Sequence, residues 1–370
     1  MKKLLIAIVL LCLLAGCAGN ERAASTPPET TQPTSVKVGI CLPEETDPYW
    51  AFCGTSLQAA LAELGCEPEI YYAENNILLQ AEQVTQLYRD GASCLILAGI
   101  DSVGLEAALA DYAAAGIPVI ALDRMLMDTP AVKLCVSFDY KAMGETMGRH
   151  IEKELALPSA QQEGRSHTVE FFMGSPEDPN APDLHRGLMS VLQGYLSSGV
   201  LTCPSGRTSF EDTWVMKGDG VKAGENLRRY MEQSYAEKAP FPQIICTASD
   251  SLAQGCIAVL EETQCPVTQW PLIVGQGIAT DSVNAQKQSM TVRKDAAQLI
   301  SDCVAAVSVL LTDGQLPEGF AQLAVNNHAV SVPVRLCPAY EVTGTQEQNG
   351  ETPPQEEIPE DIPADSETAQ

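Results

Sequence analysis

The chain has 370 residues, 45% of them in the hydrophobic set, which suffices for two lobes of ordinary size with separate cores. A formal net charge of −26 excludes nucleic acid as a partner, because that affinity is built on Lys and Arg contacts to phosphates. Part of the charge is local. From Glu341 to Gln370 there is no Lys or Arg, and Glu, Asp, Pro, Gln and Thr dominate. Such a stretch cannot bury enough apolar surface to offset its ordering entropy, so 344–370 is predicted to be a disordered acidic tail.

At the other end, Lys2 and Lys3 precede an unbroken apolar run from Leu4 to Leu14. The run is too short to span a bilayer and has the layout of a removable export signal. Its ending, Leu14-Ala15-Gly16-Cys17, resembles the bacterial lipobox. That resemblance implies cleavage before Cys17 and lipid attachment to it; the alternative is an ordinary signal with a chance cysteine. The expected location is therefore extracytoplasmic, lipid-anchored to a bacterial cell membrane. From Ala18 to Ser35, Pro27, Pro28 and Pro33 stand among Thr and Ser, a flexible tether with a reach of roughly 20–25 Å.

Of the 13 cysteines, Cys12 leaves with the signal and Cys17 is the lipid site, so an odd number remain. They sit in apolar stretches such as Ser93-Cys94-Leu95-Ile96, and there is no CxxC pair. Disulfide frameworks belong mainly to small, core-poor domains. Most of these thiols are expected to be buried apolar groups, with one or two disulfides left open.

From Val36 onward, short β-rich runs alternate with helical segments. Val36–Leu42 reads as a buried strand and Trp50–Leu64 as an amphipathic helix stopped by Gly65. Glu69–Tyr72 and Ile77–Arg89 follow, closed by Gly91, then Cys94–Leu97 and Leu105–Ala115, closed by Gly116, and the strand Val119–Leu122. The alternation restarts with the strand Val169–Phe172 and a helix through Leu188–Leu196. It continues with a helix over Ala223–Gln233, the strand Gln243–Thr247, the helix Leu252–Glu262 and the strand Leu272–Val274. Pro158–Ser166 reads as a surface loop. Two such series predict an α/β protein of two similar doubly wound parallel-sheet lobes.

Ligands of such sheets bind beyond the carboxyl ends of the strands. That rule selects the loops Pro43–Trp50, Gly99–Ser102, Asp123-Arg124, Gly174–Asn180, Ser249-Asp250 and Gly275–Gly277, which face a cleft that closes by hinging. There is no GxxxxGK[ST] loop, no GxGxxG after the first strand and no GxSxG elbow. His150, His167, His185 and His328 share no zinc-ligand spacing. No enzyme activity, cofactor or metal is expected.

Ile117-Pro118-Val119-Ile120-Ala121-Leu122-Asp123-Arg124 resembles the sugar-binding branch of the type I periplasmic binding proteins. The agreement runs from about Val36 to Thr343. Leu97-Ala98-Gly99-Ile100-Asp101, Gly174-Ser175-Pro176-Glu177-Asp178-Pro179-Asn180-Ala181 and Val274-Gly275-Gln276 fall in the family's order and spacing. The second of these is similar to receptors for galactose, glucose or xylose. The resemblance implies an N-terminal lobe of 36–139 and 278–325, a C-terminal lobe of 140–277 and 326–343, and a hinge between them. It further implies a monomer that passes a sugar or sugar-like ligand to the membrane permease subunits of an ABC importer. A sensor reporting to a membrane histidine kinase, or the same fold holding a nucleoside or furanosyl signal, are the alternatives.

A sugar offers hydroxyls that donate and accept, and an apolar C–H face. By the resemblance, Asp123 and Arg124 bond its hydroxyls, the other reading being an exposed ion pair. Trp50 stacks on the ring or anchors the first helix in the core. Asn180, Asp219 and Asp250 are polar ligands from the second lobe or helix caps. Lys294 matches a lysine near the hinge or is a solvated charge. Three positions depart from the family pattern: Tyr49 stands where a basic residue is usual, Gly218 where an aromatic is, with Trp214 close by, and Gly277 where an aspartate is. Glu44, Glu45 and Asp47 are extra acids, either solvated or favouring an amine-bearing ligand.

Overall fold

The computed structural model describes residues 35–344, apart from 238, 279–280, 313–315, 317–319 and 321. Cys17, the signal, the tether up to residue 34 and the tail from residue 345 lie outside the described residues.

In chain order the first lobe begins β1 (Lys37–Leu42), α1 (Pro48–Glu63), β2 (Glu67–Tyr72), α2 (Ile77–Arg89), β3 (Cys94–Leu97), α3 (Glu106–Ala115), β4 (Val119–Leu122) and β5 (Val132–Phe138). The chain then builds α4 (Tyr140–Glu154), α5 (Leu157–Glu163), β6 (His167–Phe172), α6 (Ala181–Ser198), β7 (Leu201–Thr202), α7 (Phe210–Thr213) and α8 (Gly220–Ser234). There follow β8 (Ile244–Thr247), α9 (Asp250–Glu262), β9 (Leu272–Gly277), α10 (Asp281–Asn284) and β10 (Met290–Lys294). Last come α11 (Ala296–Thr312), β11 (Leu323–Asn326), β12 (Ser331–Cys337) and β13 (Ala339–Thr343).

Two sheets result, in the orders β11-β12-β5-β4-β3-β1-β2 and β13-β10-β9-β8-β6-β7. All pairings are parallel except β11 with β12 and β10 with β13. The central strands Cys94–Leu97, Val119–Leu122 and Ile244–Thr247 are buried at every position, as expected where helices cover both faces of a parallel sheet. Helix starts are set locally: Asp47 accepts from the Tyr49 and Trp50 amides, and Asn76 from those of Leu78 and Leu79.

The chain changes lobes between β5 and α4, between β10 and α11, and between β12 and β13. The last two crossings are tied together by the Asp295 amide, which donates to the Pro338 carbonyl at 3.0 Å. The expected boundaries at 278 and 326 are therefore corrected. β10 (Met290–Lys294) stays with the second sheet, because it pairs with β9, and 326–337 belong to the first, because β12 pairs with β5. Pro158–Ser166 is not a plain loop either: α5 runs through it to Glu163, with Leu157 and Ala160 buried and Pro158 in its first turn, where a missing N–H breaks no helical bond. All eleven described cysteines are free, and all but Cys66 and Cys203 are buried, so none of the described cysteines is in a disulfide. Burial pushes the Cys41, Cys53 and Cys94 thiols up to about 12, which keeps them protonated and unreactive.

In the second lobe α4 packs on α6 at backbone contact. A side chain at Gly187 would meet the Lys141 carbonyl, and one at Gly144 the Leu184 carbonyl. Gly187→Val should therefore lower stability by roughly 1–3 kcal/mol through overpacking, read as a shift in urea midpoint, whereas the solvent-side Gly194→Ala, which meets nothing, should not lower it.

Candidate functional site

The carboxyl ends of the two sheets face each other across a cavity of about 150 Å³. Water needs about 10–15 Å³ on the same measure, so there is room for on the order of ten heavy atoms. Tyr49, Trp50, Asp123, Arg124, Asn180, Asp250 and Lys294 all line it.

Asp123 is the centre. It follows β4 with φ of 63°, a left-handed conformation that Asp tolerates better than most side chains. The turn aims its carboxylate inward, where the residue is 2% exposed. The Tyr49 hydroxyl donates to it at 2.7 Å, the Tyr140 hydroxyl at 2.8 and 2.9 Å, and the Lys294 ammonium at 3.3 Å. Ser137 donates to its carbonyl at 2.5 Å, and the Asn180 amide does so at 3.0 Å from the second lobe. Burial and the Asp123 charge push both phenols well above their ordinary value, so Tyr49 and Tyr140 stay protonated and remain donors. Lys294 is also 3.4 Å from the Tyr49 ring centre, a cation–π contact in a dry setting.

Arg124 spans the cleft. It pairs with Asp178 at 2.9 Å, donates to the Gly99 carbonyl at 3.3 Å and lies 5.2 Å from the Trp50 ring centre. Burial works against its charge, but Asp178 and Asp123 outweigh it, and its pKa is raised. The Asp123-Arg124 dipeptide is thus no exposed ion pair. Trp50 belongs to the core and also lines the cavity.

Asp250 marks the opposite wall. Ser249 caps the helix there, leaving the Asp250 carboxylate to accept from Gln288 at 2.7 Å and from Thr291 at 2.9 and 3.0 Å. A Cβ at Gly277 would strike that carboxylate. The aspartate that the family resemblance leads one to expect at position 277 is therefore sterically incompatible with Asp250 as placed. Asp219 is different. Its side chain accepts from the Val221 and Lys222 amides as a helix cap, and it is not among the cavity-lining residues, so the expected ligand role is corrected. Trp214 does not line the cavity either; Gly218 does. Lys294 is buried, 6% exposed, and is not a solvated charge.

Sequence reasoning passed over Tyr140, Ser137, Gln288 and Thr291. The signal for Tyr140 was its place directly after a strand end, one residue past the Asp139 cap.

Removing the Asp123 carboxylate leaves Lys294 buried without its partner, so Asp123→Ala should lose about 3–5 kcal/mol, measured by denaturant unfolding. Asp250 yields a pH test. Burial pushes its pKa up to about 6 from 3.8, against the Gln288 and Thr291 bonds and Lys294, with Asp47 adding to the rise. A raised folded value means the folded state holds the proton longer. That contribution is fully present below about pH 4 and is lost as pH rises through about 6. Wild type should therefore lose up to about 3 kcal/mol relative to Asp250→Asn between pH 4 and pH 7; a pH-independent difference would contradict it.

A family model described as the periplasmic binding protein domain matches residues 38–315. The multiple sugar-binding periplasmic protein SbpA of Azospirillum brasilense is 28% identical over 311 residues, covering 81% of this chain and 85% of that protein. The multiple sugar-binding periplasmic receptor ChvE of Rhizobium radiobacter is 27% identical, covering 83% and 85%. Among solved structures, an ABC transporter solute-binding protein of Clostridium phytofermentans with bound β-D-glucose superposes with a TM-score of 0.79. It is 28% identical, and the match covers 85% of this chain and 95% of that one.

Proposed function

We propose that this chain, which belongs to the periplasmic binding protein family, captures a monosaccharide or sugar-like molecule between its lobes and delivers it to the membrane subunits of an ABC importer. The observation that carries the reading is the Asp123-Arg124 turn. It places a buried, hydrogen-bonded carboxylate and a cross-cleft guanidinium beside an aromatic ring in a cavity of monosaccharide size. A sugar's hydroxyls can donate to remaining lone pairs of the carboxylates and accept from Arg124 and Asn180, while the Trp50 ring meets its C–H face. The sugar-binding names of SbpA and ChvE and the glucose in the Clostridium phytofermentans structure support the same ligand class. We assign the site to binding and no catalytic step to it.

Residues from both lobes contribute, so binding and closure are one event: Arg124 meets Asp178, Ser251 meets Asp47, and Lys217 meets the Asn75 carbonyl across the cleft. We place the protein outside the cell as a monomer held to the membrane by lipid on Cys17, which keeps the closing lobes within reach of the permease. The lipobox-like ending of the signal supports that placement.

A thermal-shift screen with pentoses, hexoses, their disaccharides and amino sugars tests the ligand class. At a hundredfold excess over Kd the right sugar should stabilise the fold by about 2.7 kcal/mol. No shift with any of them would remove the sugar assignment. Trp50→Ala should weaken the binding sugar roughly tenfold in titration calorimetry, as expected for loss of about 1.4 kcal/mol of ring contact.

A further inference from the structure

The ionic balance of the cavity is uneven. Six carboxylates line it, those of Glu44, Asp47, Asp123, Glu177, Asp178 and Asp250, against the cations Arg124, Lys217 and Lys294. The cations are engaged: Arg124 pairs with Asp178, Lys294 with Asp123, and Lys217 donates to the Asn75 carbonyl at 2.8 Å. Among the described residues, Glu44, Asp47, Glu177 and Asp250 form no salt bridge.

Two of these acids meet at one wall. Asp47 accepts from Ser251 at 3.4 Å, next to Asp250, and the Asp47 charge acts on Asp250. The cavity is also lined by Gln276, which is 8% exposed. Its amide nitrogen donates to the Ala248 carbonyl at 2.7 Å, but its Oε1 is buried without a hydrogen-bond partner. A buried acceptor left unsatisfied is unfavourable, and this one adds to the acceptors of the Asp47 and Asp250 carboxylates, which line the same cavity. The wall is rich in acceptors and poor in donors, so a complementary ligand must bring donors and positive charge. A hydroxyl brings one donor and no charge, whereas an ammonium brings three donors and a full charge. Charge-assisted bonds to carboxylate are also roughly twice as strong as neutral ones.

Resting on the sugar reading above, we propose that the ligand is an amino sugar, whose ammonium is received by Asp250 and Asp47 while its ring lies on the Asp123-Arg124 side. Gly277 is part of the arrangement, because a side chain there would displace Asp250.

Titration calorimetry of the wild-type protein at pH 7.0 with D-glucosamine, D-galactosamine, D-glucose, D-galactose, D-xylose and N-acetyl-D-glucosamine decides it. At least one of the two amines should bind ten times more tightly than its neutral parent sugar, and N-acetylation, which removes the charge, should abolish the gain. In Asp250→Asn the preference should shrink to within about threefold. At pH 5, where Asp250 takes up a proton with Asp47, Lys294, Gln288 and Thr291 around it, the wild-type preference should shrink likewise. A neutral aldose that binds as tightly as the amines would overturn the amino-sugar proposal and leave the sugar reading standing. Binding by none of the six would overturn the amino-sugar proposal, and the sugar reading falls with it only if the wider thermal-shift panel is silent as well.

Discussion

Everything at this site depends on the cost of burying one carboxylate. Asp123 is almost wholly removed from water, and an ionised carboxylate there persists only if its oxygens are met by donors and its charge by a cation. Tyr49 and Ser137 reach it from the first lobe, Tyr140 and Lys294 from the second. The solvation of a single charge is therefore shared between the two halves of the molecule. That shared requirement holds Lys294 and the two phenols in place. It also fixes the direction of Arg124, the next residue, whose guanidinium completes its own coordination with Asp178 across the cleft.

The two walls of the cavity treat their acids differently. Around Asp123 the donors are ample and a cation is at hand. Around Asp250 the donors are neutral apart from the field of Lys294, and the neighbouring charge of Asp47 is repulsive. The pKa of Asp250 rises accordingly. One wall is thus a finished network that positions groups, and the other is acceptor-rich and completed from outside. This difference follows from residues that face one another from different elements. It would not be visible in any one of them.

The lobes, most of the alternating elements and most of the site were legible in the sequence, because fully buried strands leave unbroken apolar runs such as Val119–Leu122 and the residues just beyond them face the cleft. What was hidden has particular causes. In β5 Lys133 interrupts the apolar run, and β10 ends in Arg293 and Lys294, so neither reads as a core strand and Tyr140 and Thr291 were missed with them. In β12 Pro333 sits inside the strand, and proline is not a signal of a sheet interior. Asp219 and Asn180 pose a different problem. Either residue type caps a helix or binds a ligand, and only backbone geometry separates them: Asp219 turns back on its own amides, whereas Asn180 makes no cap and reaches Asp123. The position of Gly277 was legible as a departure, but its reason was not, since the clash involves a side chain 27 residues earlier.

The central claim is that Asp123 and Lys294 act as one unit joining the lobes. A double-mutant cycle measures it directly, using urea unfolding of wild type, Asp123→Asn, Lys294→Met and the double variant. Residues in direct contact should couple by more than about 1 kcal/mol, with the double variant less damaged than the sum of the single ones. Additivity within about 0.5 kcal/mol would show that the two groups stabilise the protein independently and would contradict the account.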